Sequence, residues 1–299
     1  MKTGEVQKMA DPQNLRSIVE HLALDIGPRP YSKKRALDKA RDTIAEQFEG
    51  QGRSVFLQEY RIPQGVYSNI IVTRSPLSWE LLKSRPALVV GAHYDTVSTT
   101  PGADDNASGI ACLVELSRTM GDELPANVIL ACFTLEEPPF YRTRHMGSYR
   151  FAKLLKKKGV RLKGMICLEM IGYFKDSEDS QHFPFPLMDK IYPTRGNFIG
   201  LVGDTWSRRF TKEVENIFTR AGTIDTFSLN APFWVFGVDL SDHWSFYKFG
   251  YKALMVTDTA FYRNPNYHKS GDLPHTLDFE KMAGVVDALC AVVRVLAPS

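Results

Sequence analysis

The sequence predicts an α/β protein, a three-layer αβα sandwich around a mostly parallel, mixed central sheet. Three observations lead there. Ala87 to Ala92, Val128 to Phe133, Met165 to Leu168 and Ala253 to Val256 are short apolar runs, continuous rather than alternating, as in strands covered on both faces. Amphipathic helix-length segments near 107 to 120, 147 to 158, 205 to 221 and 278 to 296 lie between and after them, the alternation that builds helix-covered parallel sheets. Each run also leads toward acidic residues or histidine, and ligands of open α/β sheets bind beyond the carboxyl ends of the strands.

Asp11-Pro12 supplies an N-cap and a first-turn proline for a helix through about Leu24. Ser32 opens a second helix, in which Leu37, Ala40, Ile44 and Phe48 recur at helical spacing. Val55 to Tyr60 and Ile70 to Thr73 read as strands at one side of the sheet. The four apolar runs and their helices then follow to the C-terminus. The Pro- and Gly-containing stretches Pro184 to Pro193 and Asn264 to Pro274 are too short to be linkers, so residues 1–299 are expected to form a single domain.

With 43% hydrophobic and 24% charged residues among 299, the chain can bury a large core, which excludes disorder, collagen and coiled coil. A net charge of +3 is too small to imply nucleic acid, and Lys33-Lys34-Arg35 and Lys156-Lys157-Lys158 fall where solvated helix faces are expected. Cys112, Cys132, Cys167 and Cys290 lie inside apolar runs at no metal-ligand spacing, which predicts buried free thiols and a reducing compartment. The N-terminal MKTGEVQKMADPQ lacks the apolar core of a signal peptide, and no window holds the roughly 18 apolar residues of a membrane span. Read as it stands, the sequence suggests a cytoplasmic protein with no nucleic-acid or membrane partner.

His93-Tyr94-Asp95 follows the first apolar run, Glu136-Glu137 the second and Glu169 the third, and the loop after the fourth reaches His268. Four strand ends thus supply one site. Two neighbouring dications need a carboxylate between them, with terminal oxygen and imidazole ligands that leave positions open. His, Asp and Glu without Cys suit zinc, cobalt or manganese over copper or iron-sulfur clusters. The spacing of His93 and Asp95 puts both on one side of a strand, where the Asp95 carboxylate can orient the imidazole from outside the ligand set. Each piece alone has a plainer reading: a surface pair at a strand end, an N-capped helix start for Asp104-Asp105 within Pro101 to Gly109, an exposed acidic turn for Glu136-Glu137. In the glutamate pair the chemistry asks for two roles, one carboxylate ligating metal and the other, unligated, taking a proton from water.

In this order, GAHYDTV, PGADDNASGIACLVEL, TLEE, LEMIGY, SDHWSF and NYHKSGD make the run from Val89 to Leu273 resemble the zinc aminopeptidases of the bacterial leucyl-aminopeptidase type. Their wider relatives include glutamate carboxypeptidase II, transferrin receptor and glutaminyl cyclase. The resemblance implies a zinc-exopeptidase-like fold and a single catalytic domain that removes N-terminal residues from peptides with two zinc ions. It implies Asp105 as the bridge between the metals, with a cis peptide bond to Asn106. Glu137 and His268 would hold one metal, His93 and Glu169 the other, with Asp104 outside the ligand set. Glu136 is then the general base toward the attacking water, and Tyr267 the donor to the oxyanion. Glu169 stands where the family usually has Asp, and its extra methylene moves the carboxylate out by roughly one carbon-carbon bond, so the second metal site is where this chain departs.

Glu136 and Glu169 also suit a substrate ammonium group. Phe140, Tyr141, Phe233, Trp234 and Phe236 are candidates for the side-chain pocket, with core packing the alternative for each. Ser241 and Asp242 read as a helix cap near that pocket. His21, His145, His182 and His275 fall outside the matched motifs and are expected to be solvated or satisfied. Other functions share the fold. A glutaminyl cyclase would carry Ser-Ala after the bridging Asp, where this chain has Asn-Ala. A binding protein of the transferrin-receptor kind would have lost ligands that are all present. A carboxypeptidase or dipeptidase would grip a carboxylate with cations such as Arg142, Arg144 or Arg263.

Overall fold

The computed structural model describes residues 9–232 and 234–298. Asp11 accepts a hydrogen bond from the Gln13 amide at 2.9 Å and caps α1 (Pro12–Glu20), which continues into a π turn, His21–Ile26. α2 (Lys34–Gly50) starts without a side-chain cap: Lys33 holds that position, so Ser32 precedes the helix and does not close its end as expected. β1 (Ser54–Ile62) and β2 (Gly65–Thr73) form a hairpin and outrun the apolar patches that predicted them, because backbone pairing from Ser54↔Thr73 to Ile62↔Gly65 extends both. α3 (Trp79–Ser84), β3 (Ala87–His93), α4 (Gly109–Met120), β4 (Val128–Phe133), α5 (Gly147–Lys157) and β5 (Leu162–Glu169) follow. After a long connection come β6 (Ile199–Asp204), α6 (Arg208–Ala221), β7 (Thr226–Ala231), α7 (His243–Lys248), β8 (Ala253–Thr257) and α8 (Phe279–Leu296).

The eight strands make one sheet in the order β1-β2-β4-β3-β5-β8-β6-β7. Its centre, β4-β3-β5-β8, is parallel. β2 joins β4 antiparallel on one side and β6 joins β8 antiparallel on the other, so the sheet is mixed. Alternate residues of β3 enter opposite layers: Leu88, Val90 and Ala92 pack with α1, α2, α4, α6 and α8, while Ala87 and Val89 pack with α3, α5 and α7. Cover on both faces is why the inner strands read as continuous apolar runs. β7 gave no such signal, since every one of its residues is only half-buried at the sheet edge. The four cysteines are buried and free, and burial raises each thiol's pKa. Among the described residues, no helix is long and apolar enough to cross a membrane.

One buried cation ties the N-terminal helices to the loops above the sheet. Arg29 is fully enclosed; it donates from Nε to the Tyr94 carbonyl at 2.7 Å, from Nη1 to Pro101 at 2.8 Å and Leu22 at 3.2 Å, and from Nη2 to Gly102 at 3.0 Å. Burial lowers its pKa to about 10, which still leaves it charged at neutral pH. Arg29→Met fills similar volume but strands these carbonyls, so it is expected to cost about 3 kcal/mol or more, read as a lower urea midpoint.

Candidate metal centre

The parallel order β4-β3-β5-β8 places Glu136 and Glu137, His93, Glu169 and the loop carrying His268 beyond neighbouring strand ends. Asp105 lies between the two imidazoles: its Oδ1 is 3.4 Å from His93 Nε2 and its Oδ2 is 3.2 Å from His268 Nε2. Glu169 Oε2 is 3.3 Å from His93 Nε2, and Glu137 Oε2 is 3.4 Å from His268 Nε2. Glu136 Oε2 stands further off, 4.0 Å from His93 Nε2.

Asp105 is held by its backbone. The peptide bond to Asn106 is cis, and Gly102, at φ 68°, turns the chain where a Cβ would meet the Asp105 carbonyl at 2.5 Å. Asp272 accepts from the amides of Asp104 at 2.8 Å and Asp105 at 3.2 Å. Asn106 donates to the Leu168 carbonyl at 2.8 Å, tying the turn to β5. The Asp104 carboxylate is turned elsewhere, accepting from the Gly172 amide at 3.0 Å and the Asn264 side chain at 2.7 Å.

Asp95 works differently from the expected carboxylate-to-imidazole contact. His93 Nδ1 lies 3.0 Å from the Asp95 main-chain carbonyl but 3.7 Å from its carboxylate. That carboxylate instead accepts the amides of Glu136 and Glu137, each at 3.2 Å, and so sets the backbone of both glutamates. Ser241, expected to cap a helix, is instead buried and donates to Glu169 Oε2 at 2.6 Å, while Asp242 stands at the α7 N-cap without a side-chain cap bond. Asp272, Arg29 and Ser241 were missed because their partners are distant in sequence. Only the membership of Ser241 and Asp272 in the SDHWSF and NYHKSGD motifs pointed at them.

The donor set fits divalent metal. His93 Nε2, Asp105 Oδ2 and Glu137 Oε1 are buried without a hydrogen-bond partner among the described residues. Among the described residues, His93, Asp105 and Glu169 form one group of potential ligands, Asp105, Glu137 and His268 another, and His93, Glu136 and Glu137 a third, with ligand atoms within 4.8 Å of one another in each. Burial pushes the Glu136 carboxyl up and that of Glu137 to about 7, with the Asp105 charge adding to the latter. Burial also opposes ionisation of Asp105, but the two nearby imidazoles hold its carboxyl well below the usual range. Four crowded carboxylates beside two imidazoles are the kind of charge excess a dication relieves.

Beside Glu169 opens a cavity of about 120 Å³, walled by Phe198, Phe227, Phe236, Met255, Phe261 and Tyr267, with His182 also on its lining and, among the described residues, no Lys or Arg. The Tyr267 ring stacks on His268 at 3.8 Å between centroids. Of the aromatic candidates among the described residues, only Phe236 lines the cavity. Phe140 is buried against Tyr31, the Tyr141 hydroxyl donates to the Asp239 carbonyl at 3.3 Å, Trp234 is exposed, and Phe233 lies outside the described residues. Arg142 is paired with Asp239, and buried Arg263 donates to Gln181 Oε1 and the Phe198 carbonyl. Asp95→Asn replaces an acceptor oxygen with an amide that opposes the Glu136 or Glu137 N–H. It is expected to lower kcat about 10- to 100-fold, measured at saturating zinc.

The sequence profile of Peptidase family M28 matches residues 69–293. The uncharacterized protein YfbL of Escherichia coli is 37% identical over 289 residues, which covers 94% of this chain and 87% of that protein. Leucine aminopeptidase 1 of Trichophyton equinum is 28% identical over 217 residues, 67% of this chain and 52% of its own; the chain thus spans about half the length of that relative. Among solved structures, BSAP, a zinc aminopeptidase from Bacillus subtilis, superposes with a TM-score of 0.75 over 97% of this chain and 96% of its own at 15% identity. Glutaminyl cyclases superpose as well, so the structural likeness carries the fold and not the reaction. With the profile covering the elements that bear the metal-ligand groups, the chain belongs to peptidase family M28 and is a peptidase.

Proposed function

We propose that the described chain is a single catalytic domain acting as a two-zinc aminopeptidase. The observation that carries this is the pair of donor groups sharing Asp105, with Glu136 beside them and outside the Asp105-sharing pair. His93 and Glu169 would hold one zinc, Glu137 and His268 the other, and Asp105 both. Bound there, zinc supplies Lewis acidity, acidifying water and polarising a carbonyl.

The chain's own residues do the rest. Glu136, backed by burial that raises its proton affinity, takes a proton from the attacking water and delivers it to the leaving amine. The Tyr267 phenol, kept protonated by burial, donates to the developing oxyanion from its stacked position beside His268. Glu169 reaches the edge of the cavity while its Oε2 is fixed by Ser241, and with Glu136 it receives the substrate ammonium. The cavity, apolar and aromatic, takes a large uncharged first side chain. A carboxypeptidase reading is disfavoured: Arg142 and Arg263 are already engaged, Arg144 is exposed and off the cavity lining, and among the described residues no Lys or Arg lines the cavity. Four buried free thiols suit a reducing compartment.

The test is hydrolysis of free and N-acetylated aminoacyl substrates by the zinc-reconstituted protein. Cleavage confined to free amines, with Phe and Leu ahead of Lys and Asp by about tenfold or more, and about two zinc ions per chain are expected. Glu136→Ala should keep its zinc and lose about 10²- to 10⁴-fold in kcat. Equal turnover of acetylated substrates, or one zinc with turnover of N-terminal glutamine alone, moves the chain to the carboxypeptidase or cyclase reaction.

A further inference from the structure

The metal centre occupies the carboxyl ends of the inner strands, and the opposite end of the sandwich has a separate character. Ala87 pairs with Leu162 and its amide bonds the Arg161 carbonyl, which sets Arg85 and Arg161 side by side at the starts of β3 and β5. Met165 pairs with Ala253, so Lys252 stands next in the row at the start of β8. β6 runs antiparallel to β8, with Gly203 opposite Leu254, so its carboxyl end brings Arg208 and Arg209 to this same end. Lys163, Arg208, Arg209 and Lys252 line one open depression of about 900 Å³. α5 returns from the site end and delivers Lys157 here. Four adjacent strands, roughly 15 Å across at ordinary strand spacing, thus end in a band of cations.

Arg85, Lys157, Arg161, Arg208, Arg209 and Lys252 are exposed and have no carboxylate partner among the described residues. The nearby acid Glu213 is taken by Lys163 at 2.9 Å. Arg208 and Arg209 occupy the first turn of α6, where cations oppose the helix dipole, so folding stability does not account for them. Among them projects Trp206, 87% exposed and lining the same depression.

We propose that this end of the molecule is a docking surface for an anionic phospholipid membrane. Unpaired cations spread over the ends of neighbouring strands match a charged plane, and an indole standing out from them sits at headgroup depth. Docked in this way, the chain turns its metal centre away from the lipid and toward peptides in solution. The sequence suggests no membrane partner because no window is apolar enough to span one; these cations are scattered along the chain and become neighbours only through strand pairing.

The zinc-loaded protein is sedimented with vesicles rich in phosphatidylglycerol and with pure phosphatidylcholine vesicles. Binding to the first only, weakened by salt and accompanied by a blue shift of tryptophan emission absent in Trp206→Ala, is expected. Each basic side chain is worth about fivefold in partition, so Arg208→Glu with Arg209→Glu should lower binding by about 25-fold or more. The same double variant should not lower the melting temperature, since two acids in the first turn of α6 complement the helix dipole that the arginines oppose, and it should leave peptidase activity unchanged. The proposal is overturned by absence of binding at low salt, by equal binding to phosphatidylcholine, by indifference to the double variant, or by tighter binding to duplex RNA than to the anionic vesicles. None of these outcomes depends on which peptidase reaction the chain performs.

Discussion

Asp105, Glu136, Glu137 and Glu169 are buried in one small space with His93, partly exposed His268 and the field of buried Arg29 to offset them, and the structure around them is arranged to bear that crowding. In a low-dielectric interior such a set cannot all ionise without a compensating charge. The geometry concentrates the compensation on Asp105, whose two oxygens lie 3.4 Å and 3.2 Å from the two imidazoles. Zinc in the proposed reaction would complete what the histidines begin.

Holding these groups in register falls to other buried acids, which spend their charge on backbone. Asp95 accepts two amides of the Glu136-Glu137 turn, Asp272 two amides of the Asp104-Asp105 turn, and Asp104 the amide of Gly172. Each loop leaves a different strand, so a carboxylate bonded to the next loop fixes distances that no single element could fix. Arg29 closes the arrangement from below, bonding carbonyls of the loop between β3 and Gly102. The loops are thereby tied to one another by the chain's own groups, the kind of preorganisation on which the proposed reaction would draw.

The chain is nearly neutral as a whole, yet its charge is sorted by topology. Acids gather where parallel strands end and cations where they begin. A net charge describes neither end, because strand direction rather than composition decides which residues meet.

The central strands, most of the helices and the residues that gather at the site are legible in the order of residues alone. Runs such as Val128 to Phe133 are readable because a strand covered on both faces must be apolar throughout, and His93, Glu136, Glu137 and Glu169 are readable because each follows such a run. What those residues touch is set by the folding of distant loops onto one another. Asp95 uses its carbonyl toward His93 and its carboxylate toward another loop, Ser241 binds Glu169 across 72 positions, and Arg29 reaches Pro101 and Gly102 over a similar span. β7 and the cationic end were likewise invisible, the first because an edge strand needs no apolar run and the second because its members are neighbours only through pairing. Local spacing carries the signal of burial; contacts between loops from different strands exist only once the sheet has set their order.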